Sequence, residues 1–156
     1  MKKKLIRNTV SQFKIQFHQE PDAVFLSPGR INIIGEHIDY NNGFVLPAAI
    51  NKYVCFAVKK SSGTTIRLFA ADLNDYYEFE SNTKLQPIDK TWVNYLIGVI
   101  QELKNRELHF SGFDVVLSSS IPMGSGLSSS AAVSCGMAFA LNELFDMGLT
   151  RETLAR

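Results

Sequence analysis

The sequence predicts an α+β domain in which a phosphate-binding loop joins a strand to a helix, and three observations carry that prediction. Pro122-Met123-Gly124-Ser125-Gly126-Leu127-Ser128-Ser129-Ser130-Ala131 sets two glycines and four serines between a proline and a run rich in Ala, Met, Phe and Leu. Apolar residues recur at helical spacing in two places, at Ile6, Val10, Phe13 and Phe17 and at Leu96, Val99, Ile100 and Leu103. Between these stripes lie strand-length runs rich in β-branched and aromatic residues.

Taken in order, the first stripe predicts a helix ending near Glu20-Pro21-Asp22, with its apolar face in the core. Ala23 to Ser27 reads as a short buried strand. Pro28-Gly29 breaks it, so Arg30 is expected on a tight turn. Ile31, Ile33 and Ile34 form a β-branched stretch ended by Gly35, and Asn41-Asn42-Gly43 is a turn signal beyond it. Phe44 to Ile50, Tyr53 to Lys59 and Thr64 to Ala70 are predicted strands, the last two joined as a hairpin through Ser61-Ser62-Gly63 into a meander. Tyr76 to Glu80 adds a further strand. A helix of about fifteen residues starts near Trp92, and Phe113 to Leu117 is an apolar strand that feeds the Gly/Ser loop. Ala131 to Leu144 is the helix behind that loop. Thr150, after Gly148, is a good N-cap for a last helix from Arg151 to Arg156 that has no stop signal. The expectation is therefore one domain, residues 1–156, forming the front part of a longer protein.

The composition narrows the function. With 156 residues, 46% hydrophobic and 20% charged, the chain has the make-up of a globular domain. A formal net charge of +1, with both signs spread along the chain, gives no footprint for nucleic acid or an anionic membrane. Arg7, Asn8, Ser11, Gln12 and Lys14 interrupt any apolar signal segment after Lys2-Lys3-Lys4, and no run approaches the ~18 apolar residues of a membrane span. Cys55 and Cys135, far apart among apolar neighbours, read as reduced buried thiols of a cytoplasmic protein.

The Gly/Ser loop is laid out for an anion. Glycines let backbone N–H groups approach an oxyanion, and the first turn of a helix offers unpaired N–H groups at the positive end of the macrodipole. A flexible Gly/Ser connector is the competing explanation. Pro122 stiffens the start of the loop, however, and the serines run directly into helical spacing at Ala132, Cys135, Gly136 and Phe139 with no polar spacer. The loop has neither the spacing nor the lysine of a Walker loop, and it does not fit the dinucleotide fingerprint.

A second constellation gathers Arg30, Glu36, His37 and Asp39 within ten positions among apolar neighbours. Such charges are paired, solvated or kept for a ligand, and a surface ion-pair cluster is the plain alternative. Carboxylates and an imidazole beside an arginine suit a polyhydroxylated ligand that receives a phosphoryl group. His18 and His109 lack such company and are expected at the surface.

These residues carry a resemblance. Gly29-Arg30-Ile31-Asn32-Ile33-Ile34-Gly35-Glu36-His37-Ile38-Asp39-Tyr40-Asn41-Asn42-Gly43-Phe44-Val45-Leu46-Pro47 resembles the signature of the galactokinase family, and Pro122 to Ala131 resembles the second motif of the GHMP kinase superfamily. The similarity runs from about Ala23 onward and includes the Trp92, Asn94, Tyr95 and Gly98 segment. It implies a GHMP-kinase N-terminal domain, a mixed β-sheet packed with helices, and ATP-dependent phosphorylation of α-D-galactose at its anomeric hydroxyl. By the same resemblance Glu36, His37 and Asp39 hold the sugar, and Arg30 stabilises the transition state. Gly124, Ser125, Gly126, Leu127, Ser128, Ser129 and Ser130 wrap the ATP phosphates, and Ser130 is a ligand of Mg²⁺.

Ile38 stands where the family usually has Thr. The family's catalytic aspartate, its second Mg²⁺ ligand and its C-terminal domain are expected beyond residue 156, so the resemblance implies that this chain alone is inactive; a core laid out for a longer polypeptide would also leave apolar surface open, and marginal stability or self-association is expected. A kinase for N-acetylgalactosamine or another sugar, a non-catalytic galactose sensor and a purely structural domain are the alternatives.

Overall fold

A computed structural model describes residues 2–35, 43–122, 124 and 126–155. Its elements are α1 (Lys2–Phe17), β1 (Ala23–Ile34), β2 (Leu46–Lys60), β3 (Thr65–Ala70), β4 (Asp75–Glu80), α2 (Thr91–Asn105), β5 (Phe113–Ser119), α3 (Ser129–Phe145) and α4 (Arg151–Ala155). The strands form one mixed sheet in the order β1-β2-β5-β3-β4. Strand β5 is antiparallel to β2 and parallel to β3.

Period-2 alternation decides which helix covers which face. Val54, Phe56 and Val58 of β2, Ile66 and Leu68 of β3, and Phe113, Val115 and Leu117 of β5 point to one face. There they meet Val93, Leu96, Ile97 and Ile100 of α2 and Met137, Ala140 and Leu141 of α3 in the main core. The opposite face carries Ala57, Phe69 and Val116, closed by Phe13 and Phe17 of α1. The predicted α1 stripe is thus core at Phe13 and Phe17, while Thr9 rather than Val10 is fully buried, its hydroxyl donating to the Leu5 carbonyl at 2.9 Å. Also on the α1 face, Arg67 donates from Nε to Asp114 Oδ1 at 2.6 Å and lies 4.7 Å from the centre of the Phe17 ring.

The predicted meander does not form. Thr64 to Ala70 does not pair with the preceding strand, because β5 lies between β2 and β3. Every residue from Phe113 to Ser118 is buried, and a strand buried on both faces belongs in the middle of a sheet. The Ser61-Ser62-Gly63 turn instead holds the start of β5: Ser61 N–H donates to Gly112 O at 2.9 Å and Gly112 N–H to Gly63 O at 2.8 Å. The two strands predicted on either side of Asn51-Lys52 are one strand, β2, whose first half is largely exposed and whose second half is core.

The strand from Ala23 does not stop at Pro28-Gly29 either. It continues to Ile34 with a register shift between Pro28 and Arg30, where Gly29 alone stands against Ile50, Asn51 and Lys52 of β2; β1 is an edge strand, on which a proline costs no ladder bond. Arg30 therefore stands on a strand and not on a tight turn. Cys55 is buried as expected, but Cys135 is exposed on α3. His18 and His109 are at the surface, and Thr150 caps α4 by accepting from Thr153 N–H at 3.2 Å. Among the described residues no helix is long and apolar enough to cross a membrane.

Candidate functional site

The site begins where β5 ends. Ser119 is the last residue of β5 and pairs with Val54, while β1 and β2 continue beyond it as a two-stranded arm with Arg30 opposite Ala49 and Ile34 opposite Leu46. The chain leaving β5 turns across the foot of this arm and enters α3.

Arg30 fixes the loop to the arm through both its backbone and its side chain. Its N–H donates to Leu127 O at 3.2 Å, and its guanidinium donates to Ser128 Oγ from Nη2 at 2.8 Å and from Nε at 3.2 Å. Gly29 makes that approach feasible: a Cβ there would lie 3.0 Å from Leu127 O and 3.1 Å from Ile121 Cδ1. Glycine at this position thus has a local reason, since it lets the loop carbonyl come so near.

Arg30 is half-buried, and a further bond runs from Nη1 to Asn32 Oδ1 at 3.3 Å. Among the described residues its side-chain partners are neutral groups, Ser128 and Asn32, which orient the guanidinium. A fixed cation of this kind attracts an anion strongly.

The loop is shaped to present donors. Gly124 and Gly126 both have φ +69, with nothing within 4 Å of where a Cβ would stand, so glycine is there for conformation and not for room. Ser128, the N-cap of α3, is also left-handed (φ 54, ψ 43) and makes no capping bond through its side chain. Its hydroxyl is taken by Arg30 instead. The first turn of α3 consequently begins at Ser129 and Ser130 with no side-chain cap, the arrangement in which a helix N-terminus accepts an external oxyanion.

Beside Ser129 and Ser130 opens a cleft of about 570 Å³, walled by Trp92, Tyr95, Leu73 and Val133 with Asp72 at its rim. Asp72 accepts from Ser118 Oγ at 2.8 Å and from Ser119 N–H, pinning the β3–β4 turn to the strand end that feeds the loop. Asp75 accepts from Trp92 Nε1–H at 2.8 Å and from Lys90 Nζ. The Lys90 ammonium, followed by the Trp92 bond, holds the Asp75 carboxyl below the usual carboxylate range.

The structure therefore brings Arg30 to Leu127 and Ser128 at one end of the sheet, with Gly124, Gly126, Ser129 and Ser130 on the same loop and first turn. Glu36, His37, Asp39 and Ser125 lie outside the described residues. Asp72, Asp75 and Lys90 belong to the surroundings of the cleft without any signal in the sequence. The two aspartates sit in an ordinary turn composition, and Lys90 is one of many cations along the chain, so no spacing sets them apart. Among the described residues no group of three or more His, Cys, Asp or Glu could hold a metal ion alone.

Comparisons with known proteins agree with this geometry. Residues 11–60 match the family model described as the galactokinase galactose-binding signature, and residues 94–156 match that of the GHMP kinases N terminal domain. A curated galactokinase of Streptomyces coelicolor is 39% identical over 153 residues, covering 97% of this chain and 40% of that relative. The galactokinase of Lactococcus lactis, solved in complex with galactose, matches with a TM-score of 0.79 at 30% identity over 95% of this chain and 39% of its own. The mevalonate kinase of Methanococcus jannaschii shares the fold, with a TM-score of 0.75 at 22% identity over 85% of this chain and 43% of its own.

Fold and loop together define the N-terminal domain of a GHMP kinase. Within that class the chain matches the galactokinases, whose sugar-binding signature it carries. It spans 40% of the length of the curated relative.

Proposed function

We propose that this chain is the part of a galactokinase that binds galactose and the ATP phosphates, and that the whole enzyme forms galactose 1-phosphate and ADP in the cytoplasm. The observation that carries this reading is the bond from Arg30, inside the sugar signature, to Ser128, inside the phosphate loop. One contact joins the two motifs that phosphoryl transfer needs side by side.

The anomeric hydroxyl gives up its proton to a general base and its oxygen forms a bond to the γ-phosphorus as the bond from phosphorus to the β–γ bridging oxygen breaks. ADP leaves with that electron pair. Negative charge grows on the phosphate oxygens, and Arg30 with the uncapped N–H groups of α3 lies where such charge is offset. Glu36, His37 and Asp39 hold the sugar hydroxyls, Gly124 to Ser130 carry the phosphates, and the cleft walled by Trp92 and Tyr95 takes the nucleotide base. Magnesium supplies further charge neutralisation. The Ser130 hydroxyl, together with oxygens of the bound polyphosphate, suits a hard cation that keeps few protein ligands.

The test is a panel of sugars. The protein that carries this chain, incubated with Mg²⁺ and ATP, is expected to give sugar phosphate with galactose by mass spectrometry. Product with N-acetylgalactosamine alone would replace the substrate. Binding of galactose and ATP without any product would identify a sensor instead of a kinase.

A further inference from the structure

Trp92 is the single tryptophan of the chain and a wall of the cleft beside Ser129 and Ser130. Its indole is tied at the ring nitrogen: Nε1–H donates to Asp75 Oδ2 at 2.8 Å. The other oxygen of Asp75 accepts from Lys90 Nζ, which also donates to Tyr76 O at 3.3 Å. Asp75 opens β4 and Lys90 precedes the first residue of α2, so the carboxylate joins two elements at the point where the indole leaves the helix. Lys90 makes no side-chain capping bond to α2. Its ammonium is directed to β4 instead.

We infer that Asp75 is a positioning residue for nucleotide binding, setting the plane of the Trp92 indole so that the cleft is preformed for a flat heteroaromatic base. The inference rests on the nucleotide reading of the cleft and goes beyond it, because Asp75 lies behind the wall and is not among the residues lining the cavity. An indole free to turn about its two side-chain torsions loses that freedom on binding, whereas a tethered one has lost it beforehand. The tether is made through the ring N–H, so it acts on orientation more than on the amount of apolar surface offered.

Titration of the protein carrying this chain with Mg·ATP tests this, followed by calorimetry and by the tryptophan emission that Trp92→Phe removes. Asp75→Ala is expected to weaken binding about fivefold to tenfold, the effect of one charge-assisted hydrogen bond, and to shift that emission. Asp75→Asn, which keeps an acceptor for Nε1–H, should recover most of the affinity. In a Trp92→Phe background, where no N–H remains to orient, Asp75→Ala should change the affinity by less than about twofold. Wild-type affinity in Asp75→Ala, or an equal loss with and without the indole, overturns the inference and leaves the nucleotide site intact. No binding of Mg·ATP by the wild type overturns both. Far-ultraviolet circular dichroism monitors folding; should Asp75→Ala unfold, Asp75→Ser, too short to reach the indole N–H, replaces it in the same comparison with and without Trp92.

Discussion

Ser128 carries two opposing demands. Its backbone is left-handed, which costs a non-glycine residue about 1 kcal/mol, and its hydroxyl accepts two bonds from the Arg30 guanidinium. Ser128→Ala keeps the backbone cost and loses the bonds, for an expected loss of about 2 kcal/mol. Ser128→Gly loses the same bonds but relieves the backbone. The glycine variant should therefore unfold at the higher temperature of the two, and the reverse order in thermal unfolding would mean that the left-handed turn is not strained. Tyr76, packed against the α1 face, makes a prediction about pH. Burial, reinforced by its hydrogen bond to Glu78, pushes its phenol from 10.0 up to about 12. The raised folded pKa means that the stability it contributes is complete below pH 10.0 and is lost as pH rises toward about 12. Absorbance at the phenolate band should show a late-titrating component that is absent in Tyr76→Phe and moved to lower pH in Glu78→Gln.

At the scale of elements, α3 is seated by what it lacks. A Cβ at Gly136 would come within 2.4 Å of Phe56 Cε2 and 2.7 Å of Ser27 Cβ, and Phe56 is fully buried. Gly136→Ala gains about 1 kcal/mol of helix propensity, but the overpacking costs about 1–3 kcal/mol. The clash should win, lowering the denaturant midpoint; a rise would show that α3 can slide on the sheet. The helices and the loop are legible in the sequence because their signals are local: Leu96, Val99, Ile100 and Leu103 define α2, and the glycines and serines before Ala131 define the start of α3. The position of β5 is not. Ser61-Ser62-Gly63 looks like a hairpin turn by local rules, and only the demand of Phe113 to Leu117 for burial on both faces places β5 between β2 and β3. The turn expected at Arg30 fails for the same kind of reason. Pro28-Gly29 would break a central strand but is tolerated on an edge strand, and edge position is a property of the sheet, not of the dipeptide.

For the molecule as a whole, the arm of β1 and β2 is the conspicuous surface. Ile33, Ile34, Phe44 and Leu46, all within the sugar signature, are 60%, 67%, 97% and 53% exposed, and exposed apolar residues gathered on one arm mark a surface prone to association. The chain is expected to associate at rising concentration in sedimentation velocity, and Ile34→Ser with Leu46→Ser should restore the monomer. A wild-type monomer at all concentrations would mean that the arm is solvated as it stands. The foot of the same arm holds Arg30 against the phosphate loop, so the fold gathers part of the sugar signature, a cation and a helix N-terminus at one end of the sheet. How that end would hold the sugar is legible only as a pattern, since Glu36, His37 and Asp39 fall outside the described residues.

The decisive quantity is the rate of galactose 1-phosphate formation by the protein carrying this chain, compared with its Arg30→Ala variant. The expected result is turnover in the wild type and a kcat lower by about 10²-fold or more in the variant, with a smaller change in KM for galactose. Equal kcat in the two proteins, or no galactose 1-phosphate from the wild type, would contradict the assignment of Arg30 and the loop as a phosphoryl-transfer site.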